Sequence, residues 1–256
     1  MSESEGAPEL SYPSGLNAEK LAESRVAVLI SGGVESAILT SLLKEQAESV
    51  HPIYVACGLA WEDVEQQYLS KFIGYIRNPR VAELKVLSIP AADVYGTHWS
   101  VTGKDVPDAS TPDEAVALPG RNLLLYSKAA IWCAMSGINL LAAGQLGSNP
   151  FPDSSDKFFQ SLKKTCAVAL DFEISFWRPF KDMEKAEVLQ LGKDLPLHLT
   201  FSCIKPEKSK AQAGLNYIHC GDCNKCAERR RAFEKAGIED KTTYAKKGAI
   251  NVSSHS

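Results

Sequence analysis

Four cysteines near the end of the chain carry its most specific chemical signal. Two overlapping C-x-x-C steps follow one cysteine upstream, at Cys203, Cys220, Cys223 and Cys226. Four thiolates suit a closed, tetrahedral Zn²⁺ site of the structural kind. An iron–sulfur cluster is the main alternative because four cysteines can also ligate one. Free thiols are unusual at this density, so we predict one structural zinc ion per chain.

A glycine-rich hexapeptide, "SGGVES" at residues 31–36, supplies the second signal. It follows the apolar run "RVAVLI" (25–30) and precedes a helical pattern. Glycines let the backbone approach a ligand closely, and a helix N-terminus attracts anions. Ser31 and Ser36 can add hydroxyl donors. A tight turn with a serine N-cap is the structural alternative, and neither standard phosphate-binding fingerprint is present. The hexapeptide alone therefore leaves both readings open.

The elements that must position these residues alternate between strand and helix patterns. Apolar runs predict strands, and apolar residues at helical spacing predict helices. Predicted strands cover 25–30, 51–57, 83–89, 138–144 and 173–179, and predicted helices cover 35–47, 62–76, 121–137, 155–170, 183–195 and 225–237. Such alternation predicts an α/β, Rossmann-like fold: a parallel sheet with helices on both faces.

The pattern divides the chain into four parts. We expect a flexible N-terminal tail over 1–24, an α/β domain over 25–200, a small zinc-binding segment over 201–245, and a tail over 246–256. Residues 96–119 are rich in Gly, Pro, Ser, Thr and Asp, which predicts a long loop or mobile flap. A loop of this length inside a compact domain is usually functional or disordered.

The composition argues against two kinds of partner, nucleic acids and membranes. The 256 residues are 45% hydrophobic and 23% charged, with a net charge of −3, so no basic footprint for nucleic acid is evident. No apolar run approaches the ~20 residues that span a bilayer. The opening residues lack the basic and apolar regions of a secretory signal, which favours a cytoplasmic protein without membrane partners. Cys57, Cys133 and Cys166 lie in apolar surroundings typical of buried thiols.

Several stretches together resemble one family. "SGGVES" is similar to the S-G-G-x-D-S loop of the N-type ATP pyrophosphatases. Within that group the chain resembles the 7-cyano-7-deazaguanine (preQ0) synthase family from about Val26 to about Tyr244. The matching stretches are "LPGRNLLLYSKAA" (118–130), "RPFKDMEKAEVLQLG" (178–192), "FSCIK" (201–205) and "HCGDCNKCAERRRAFEKAGIEDKTTY" (219–244).

The resemblance implies a fold, an activity and a set of site residues. The fold would be that of the adenine nucleotide alpha hydrolases. The activity would be conversion of 7-carboxy-7-deazaguanine to its nitrile with ATP, Mg²⁺ and ammonia, through an adenylate, in a possible homodimer. Arg121 and Lys185 would be the catalytic cations, and Asp153 would contact the substrate. The ATP-binding residues would be Ile30, Ser31, Gly32, Gly33, Val34, Glu35 and Ser36.

The sequence departs from the family pattern at three places. Glu35 stands where the loop motif has Asp, which keeps the charge on a longer side chain. "CGLAWEDVE" (57–65) replaces a Y-G-Q-R-H-like stretch, and "SNPFPDSSDKFF" (148–159) replaces S-G-Y-P-D-C-R. Only Pro152 and Asp153 match in the last stretch. The lost arginine is a large change at a site for an anionic substrate.

These departures keep other functions open. A paralogue could adenylate another small carboxylate or one carried by a partner. A tRNA-modifying relative could adenylate a base, although the acidic balance argues against nucleic acid. A non-catalytic nucleotide-binding module is the remaining alternative.

Overall fold

Five parallel strands form the centre of the fold, in the order β3-β2-β1-β4-β5. The structure, a computed structural model, describes residues 11–13, 15–209 and 216–246. The strands are β1 (Arg25–Leu29), β2 (Ser49–Ala56), β3 (Lys85–Ser88), β4 (Leu140–Ala143) and β5 (Ser175–Trp177). The central strands β1 and β4 are rich in aliphatic residues and mostly buried, as expected for strands covered on both faces, whereas the edge strand β3 is more exposed.

Helices connect the strands, and most lie within two residues of their predicted bounds. The predicted helix over 183–195 is the exception, since it begins at Lys185 and ends at Leu191. The helices are α1 (Ala18–Ala22), α2 (Val34–Gln46), α3 (Glu62–Tyr75), α4 (Ala92–Tyr95), α5 (Trp99–Thr102), α6 (Arg121–Met135), α7 (Asp156–Leu170), α8 (Lys185–Leu191) and α9 (Asn224–Ala236). This confirms the α/β, Rossmann-like fold.

The two faces of the sheet bury different helices because strand side chains alternate. Val26 and Val28 point to the face that packs against α2, α8 and α9. Ala27, between them, points to the opposite face, which α6 and α7 cover. Each face therefore has its own core, and β1 lies between the two.

The N-terminal segment differs from the tail predicted over 1–24. Helix α1 begins after Asn17, whose side chain accepts a hydrogen bond from the Lys20 amide, and its Leu21 is completely buried. Tyr12 stacks on Trp177 with ring centroids 5.7 Å apart. This packing follows from the apolar residues at 12, 16 and 21. The acidic and polar residues around them hid this apolar spacing in the sequence. The prediction for residues 1–10 lies outside the described residues.

The predicted flap over 96–119 contains more structure than a loop. Helix α5 and a 3-10 turn over Asp113–Val116 lie within it. Val116 and Leu118 are each 8% exposed and belong to the same apolar cluster as Trp61 and the four cysteines. The flap is therefore packed against the body of the protein.

The predicted zinc-binding segment continues the core of the α/β domain. A short antiparallel pair, β6 (Glu207–Lys208) and β7 (Tyr217–Ile218), precedes α9. Phe233 on α9 joins the core that contains α2 and α8. Among the described helices, none combines the length and apolar character that crossing a bilayer requires. The tail predicted over 246–256 lies, except for Lys246, outside the described residues.

Candidate functional site

Two adjoining cavities lie at the carboxyl ends of the central strands. The inner cavity, about 180 Å³, is lined by the ends of β1, β2 and β4, and the outer one measures about 340 Å³. The strand order changes direction between β1 and β4, and ligands of open α/β sheets bind in that crevice. The residues lining both cavities are Ser31, Glu35, Glu65, Arg121, Gly144, Gln145 and Asn149.

The glycine loop forms the floor of this site. Gly32 has φ +78°, a left-handed conformation that favours glycine, and a Cβ there would lie 3.1 Å from the Glu65 side chain. The Gly33 amide donates to Ser31 Oγ over 3.4 Å, and Ser36 Oγ donates to the Gly33 carbonyl over 3.1 Å. The loop therefore packs closely on α3 and leads directly into the N-terminus of α2.

Gly144, at the end of β4, lies against the same loop. A Cβ at this position would lie 2.7 Å from the Glu35 carbonyl carbon, which is closer than packed atoms allow. The end of β4 therefore contacts the first turn of α2 without space for a side chain. This contact joins the two strands on either side of the crevice.

Four charged side chains form a chain of ion pairs beside the loop. Lys185 Nζ lies 2.8 Å from Glu35 Oε1 and 2.7 Å from Glu228 Oε1. Lys225 Nζ lies 2.6 Å from Glu228 Oε2. The glutamate that replaces Asp in the loop motif thus reaches the predicted catalytic lysine. The four groups alternate in sign, so their formal charges cancel.

The ion pairs fix the charge state of the two groups at their centre. Burial opposes the charged form of Lys185, but Glu35 and Glu228 outweigh it and raise its pKa. Burial likewise opposes ionisation of Glu228, but Lys185 and Lys225 outweigh it and lower its pKa to about 2. Both groups are therefore charged across the physiological range of pH.

Arg121 lies at the N-terminus of α6 and lines both cavities. Its Nε is buried, and no described residue accepts a hydrogen bond from it. A buried guanidinium N–H without a protein acceptor is available to an anionic ligand. Arg121 and Lys185, the two predicted catalytic cations, thus line the same outer cavity.

A buried carboxyl group lies between the loop and Arg121. Glu65 is 6% exposed, and its Oε2 accepts a 2.6 Å hydrogen bond from the Tyr54 hydroxyl. Burial raises the pKa of Glu65 to about 8, although the Arg121 guanidinium acts in the opposite direction. Glu65 is therefore largely protonated at neutral pH and differs in this from the ionised Glu228.

The structure places Asp153 outside the residues that line the two cavities. Its Oδ2 accepts from the Asn122 backbone amide over 2.9 Å, and its Oδ1 and backbone carbonyl accept from the Asn122 side chain. These bonds attach the rewritten stretch 148–159 to the N-terminus of α6. Asp153 therefore anchors Asn122, the residue after Arg121, and its predicted contact with substrate stays a prediction.

The outer cavity combines cations with aromatic surfaces. Trp61, Phe151 and Phe201 line it, each from a different segment of the chain. Lys225 lines it together with Arg121 and Lys185. Residues 148–151 contribute no cation, so the three cationic side chains come from α6, α8 and α9, and two of them are in ion pairs. Planar and anionic ligands both fit such a lining.

The four predicted metal ligands lie together at one buried point. Their Sγ atoms all lie within 4.8 Å of one another, and the Cys220–Cys226 and Cys203–Cys223 pairs are each 3.9 Å apart. A tetrahedron with Zn–S bonds of about 2.3 Å has edges of about 3.8 Å. The donor set therefore fits a tetrahedral metal ion such as Zn²⁺.

Backbone amides support the cysteines from outside the cluster. Cys203 Sγ accepts from the Lys205 and Cys220 amides, and Cys220 Sγ accepts from the Asp222 amide, each over 3.3 Å. Such N–H···S bonds favour thiolates and orient metal ligands. The metal identity follows from the donor chemistry and stays a prediction.

Sequence reasoning missed several residues that line the site. Glu65, Lys225, Glu228 and Gln145 had no motif of their own. Lys225 and Glu228 are one and two residues from Cys226, and that spacing places them on the first turns of a helix that begins at the metal site. Their position beside the glycine loop depends on long-range packing of α9, which no local pattern indicates.

Residues 25–237 match the model of the family described as "Queuosine biosynthesis protein QueC". Two relatives named 7-cyano-7-deazaguanine synthase are those of Methanothermobacter thermautotrophicus and Chlorobium phaeovibrioides. The first is 29% identical over 236 residues, covering 86% of this chain and 99% of the relative. The second is 28% identical over 235 residues, covering 86% and 96%.

The matched region contains every element that builds the site. It begins with β1 and ends at the residue after α9, so it includes the glycine loop, the two predicted catalytic cations and the four cysteines. The chain belongs to the QueC family of queuosine biosynthesis proteins.

Proposed function

We propose that this protein is a 7-cyano-7-deazaguanine synthase, an ATP-dependent carbon–nitrogen ligase. The observation that carries the proposal is the meeting of the glycine loop, Arg121 and Lys185 around one cavity at the sheet's switch point. The curated relatives bear that enzyme's name and align over nearly their full length. The substrate would be 7-carboxy-7-deazaguanine.

The reaction consists of two activations. A carboxylate oxygen attacks the α-phosphorus of ATP, the bond from that phosphorus to the bridging oxygen breaks, and pyrophosphate leaves. Ammonia attacks the carbonyl carbon of the adenylate, a proton is lost, and AMP leaves with the carboxylate oxygen. The amide oxygen then attacks the α-phosphorus of a second ATP, and a second pyrophosphate leaves. Loss of AMP and of the two amide protons gives the nitrile.

The residues at the site divide these tasks. The glycine loop and the N-terminus of α2 would bind the phosphates, and Arg121 would stabilise charge that develops at phosphorus. Lys185, anchored by Glu35 and Glu228, would contact the leaving pyrophosphate. Mg²⁺ would neutralise phosphate charge when bound with ATP, and Glu35 could hold it, because Lys185 engages only one of its oxygens.

The outer cavity has a cationic side chain that could face the substrate carboxylate, although the family's arginine is absent. The stretch 148–159 lacks the family's arginine, but Lys225 lines the same outer cavity from α9. This observation favours the family reaction over a change of acceptor. A paralogous acceptor remains the second candidate, because the Tyr and Cys of the family stretch are also absent.

The test is pyrophosphate release from ATP with ammonia and 7-carboxy-7-deazaguanine, followed by mass analysis. We expect the nitrile, and a loss of at least about 100-fold in rate for Lys185→Met, because transition-state cations contribute several kcal/mol. Lys164→Met, on the exposed surface of α7, is the matched control and should keep the wild-type rate. Release only with a different carboxylate would support a paralogue, and no release would contradict the proposal.

A further inference from the structure

The flap forms one wall of the outer cavity. Asp113 and Val116 line the cavity from the 3-10 turn of the flap. Asp113 is exposed, whereas Val116 is buried in the cluster that contains the four cysteines. The turn therefore has an apolar side fixed in the protein and a carboxylate that faces the cavity.

The first residue of α9 holds this turn in place. Asn224 is 1% exposed, and its Nδ2 donates to the Thr111 carbonyl over 2.7 Å and to Asp113 Oδ1 over 3.2 Å. Its backbone amide donates to the Pro107 carbonyl over 3.0 Å. Since Asn224 follows the metal ligand Cys223 directly, the metal site and the flap are connected by one residue.

Asp113 differs from the other acids that line the outer cavity. Glu35 and Glu228 are in ion pairs, and Glu65 is bonded to Tyr54. Asp113 is anchored by a neutral amide at Oδ1, and within the described part of the chain nothing donates to its Oδ2. Its carboxylate is therefore available to N–H donors of a ligand.

The cavity lining as a whole matches one kind of molecule. Trp61, Phe151 and Phe201 line the cavity with aromatic rings, the unpartnered Arg121 guanidinium can meet a carboxylate, and Asp113 can accept hydrogen bonds. A planar heterocycle that bears a carboxylate and an edge of adjacent N–H groups complements all three features. A guanine-type ring has such an edge at N1–H and the 2-amino group.

We propose that Asp113 is a specificity-determining residue that binds the N1–H and 2-amino edge of the acceptor, and that Asn224 positions it. The inference rests on the proposed function, because it assigns the acceptor's orientation in that site. A carboxylate that receives two parallel N–H bonds discriminates strongly, since an analogue without one donor leaves an acceptor unpaired.

The experiment measures equilibrium binding of two ligands by quenching of tryptophan fluorescence, since Trp61 lines the cavity. The ligands are 7-carboxy-7-deazaguanine and the analogue that lacks the 2-amino group. We expect the wild type to prefer the first by about 10- to 100-fold, the usual effect of one hydrogen bond to a charged group. Asp113→Asn should lose most of this preference, and Glu114→Gln, the exposed neighbour, should keep it.

Asn224→Ala tests the positioning role. It should reduce the preference between the two ligands while the zinc content and the affinity for ATP stay unchanged. General damage to the fold would weaken the binding of both ligands alike and leave the ratio of their affinities unchanged.

An unchanged ratio in Asp113→Asn would overturn the inference, as would a wild type that binds neither ligand. Pyrophosphate release with 7-carboxy-7-deazaguanine separates the two hypotheses. If release occurs while Asp113→Asn discriminates normally, the proposed function stands and the role of Asp113 is wrong.

Discussion

Replacing Glu65 with Gln should change how stability depends on pH. Glu65 is 6% exposed beside the glycine loop, and burial raises its pKa to about 8. Because the folded-state pKa exceeds the unfolded value of about 4.5, folding favours the protonated form. The stabilising contribution is complete below pH 4.5 and is lost as pH rises through 8.

The structure sets the size of this effect. A rise in pKa from 4.5 to about 8, at about 1.4 kcal/mol for each pKa unit, corresponds to at most about 5 kcal/mol. Gln resembles the protonated acid in shape and can accept the Tyr54 hydrogen bond, so it removes only the titration. Between pH 6 and pH 9, the wild type should lose up to about 3 kcal/mol relative to Glu65→Gln, because the rest of the effect falls below pH 6.

Urea unfolding of both proteins at several pH values measures the difference, with metal content checked at each pH. Asp63→Asn, an exposed change on the same helix, is the control and should follow the wild type. Parallel curves for the wild type and Glu65→Gln between pH 6 and pH 9 would refute the reasoning. That result would mean that Arg121 keeps the carboxylate ionised despite burial.

Three further changes test other parts of the site. Gly144→Ala should weaken ATP binding, measured by calorimetry, at least about 10-fold, because its Cβ would lie 2.7 Å from backbone atoms. Gly74→Ala is the control: its Cβ meets no atom within 4 Å, so this variant should bind ATP normally. Glu228→Gln should lower the free energy of unfolding in urea by about 2 kcal/mol, since two lysines lose their shared partner; the exposed Glu234→Gln should not. Cys223→Ser should lower bound zinc well below one ion per chain by elemental analysis, and iron in the wild type would contradict the zinc assignment.

The sequence predicted the fold well because its periodic signals are local. The spacing of apolar residues indicates the alternation of strands and helices, and the observed elements lie close to the predicted ones. The four cysteines also have a local spacing, so their clustering could be predicted. Helix α1 was missed because Leu21 lies in a short segment where the apolar period is too brief to stand out.

The rest of the site depends on contacts between distant segments. Lys225 and Glu228 line the outer cavity only because α9 packs on α8, and a search for motifs does not reveal that packing. For Asp153 the family motif suggests a contact with substrate; the structure shows its carboxylate bonded to Asn122, and the contact with substrate stays a prediction. Motifs identified the residue types, whereas the long-range packing decided which of them line the cavities.

The central claim is that the protein adenylates a carboxylate, and the fate of the carboxylate oxygens tests it most directly. The measurement uses 7-carboxy-7-deazaguanine labelled with ¹⁸O in both carboxylate oxygens, with ATP and ammonia, and analyses AMP by mass spectrometry. Because each activation transfers one acceptor oxygen to AMP, the account predicts one ¹⁸O in each AMP and two labelled AMP molecules for every nitrile. AMP without label, or ADP in place of AMP, would contradict it.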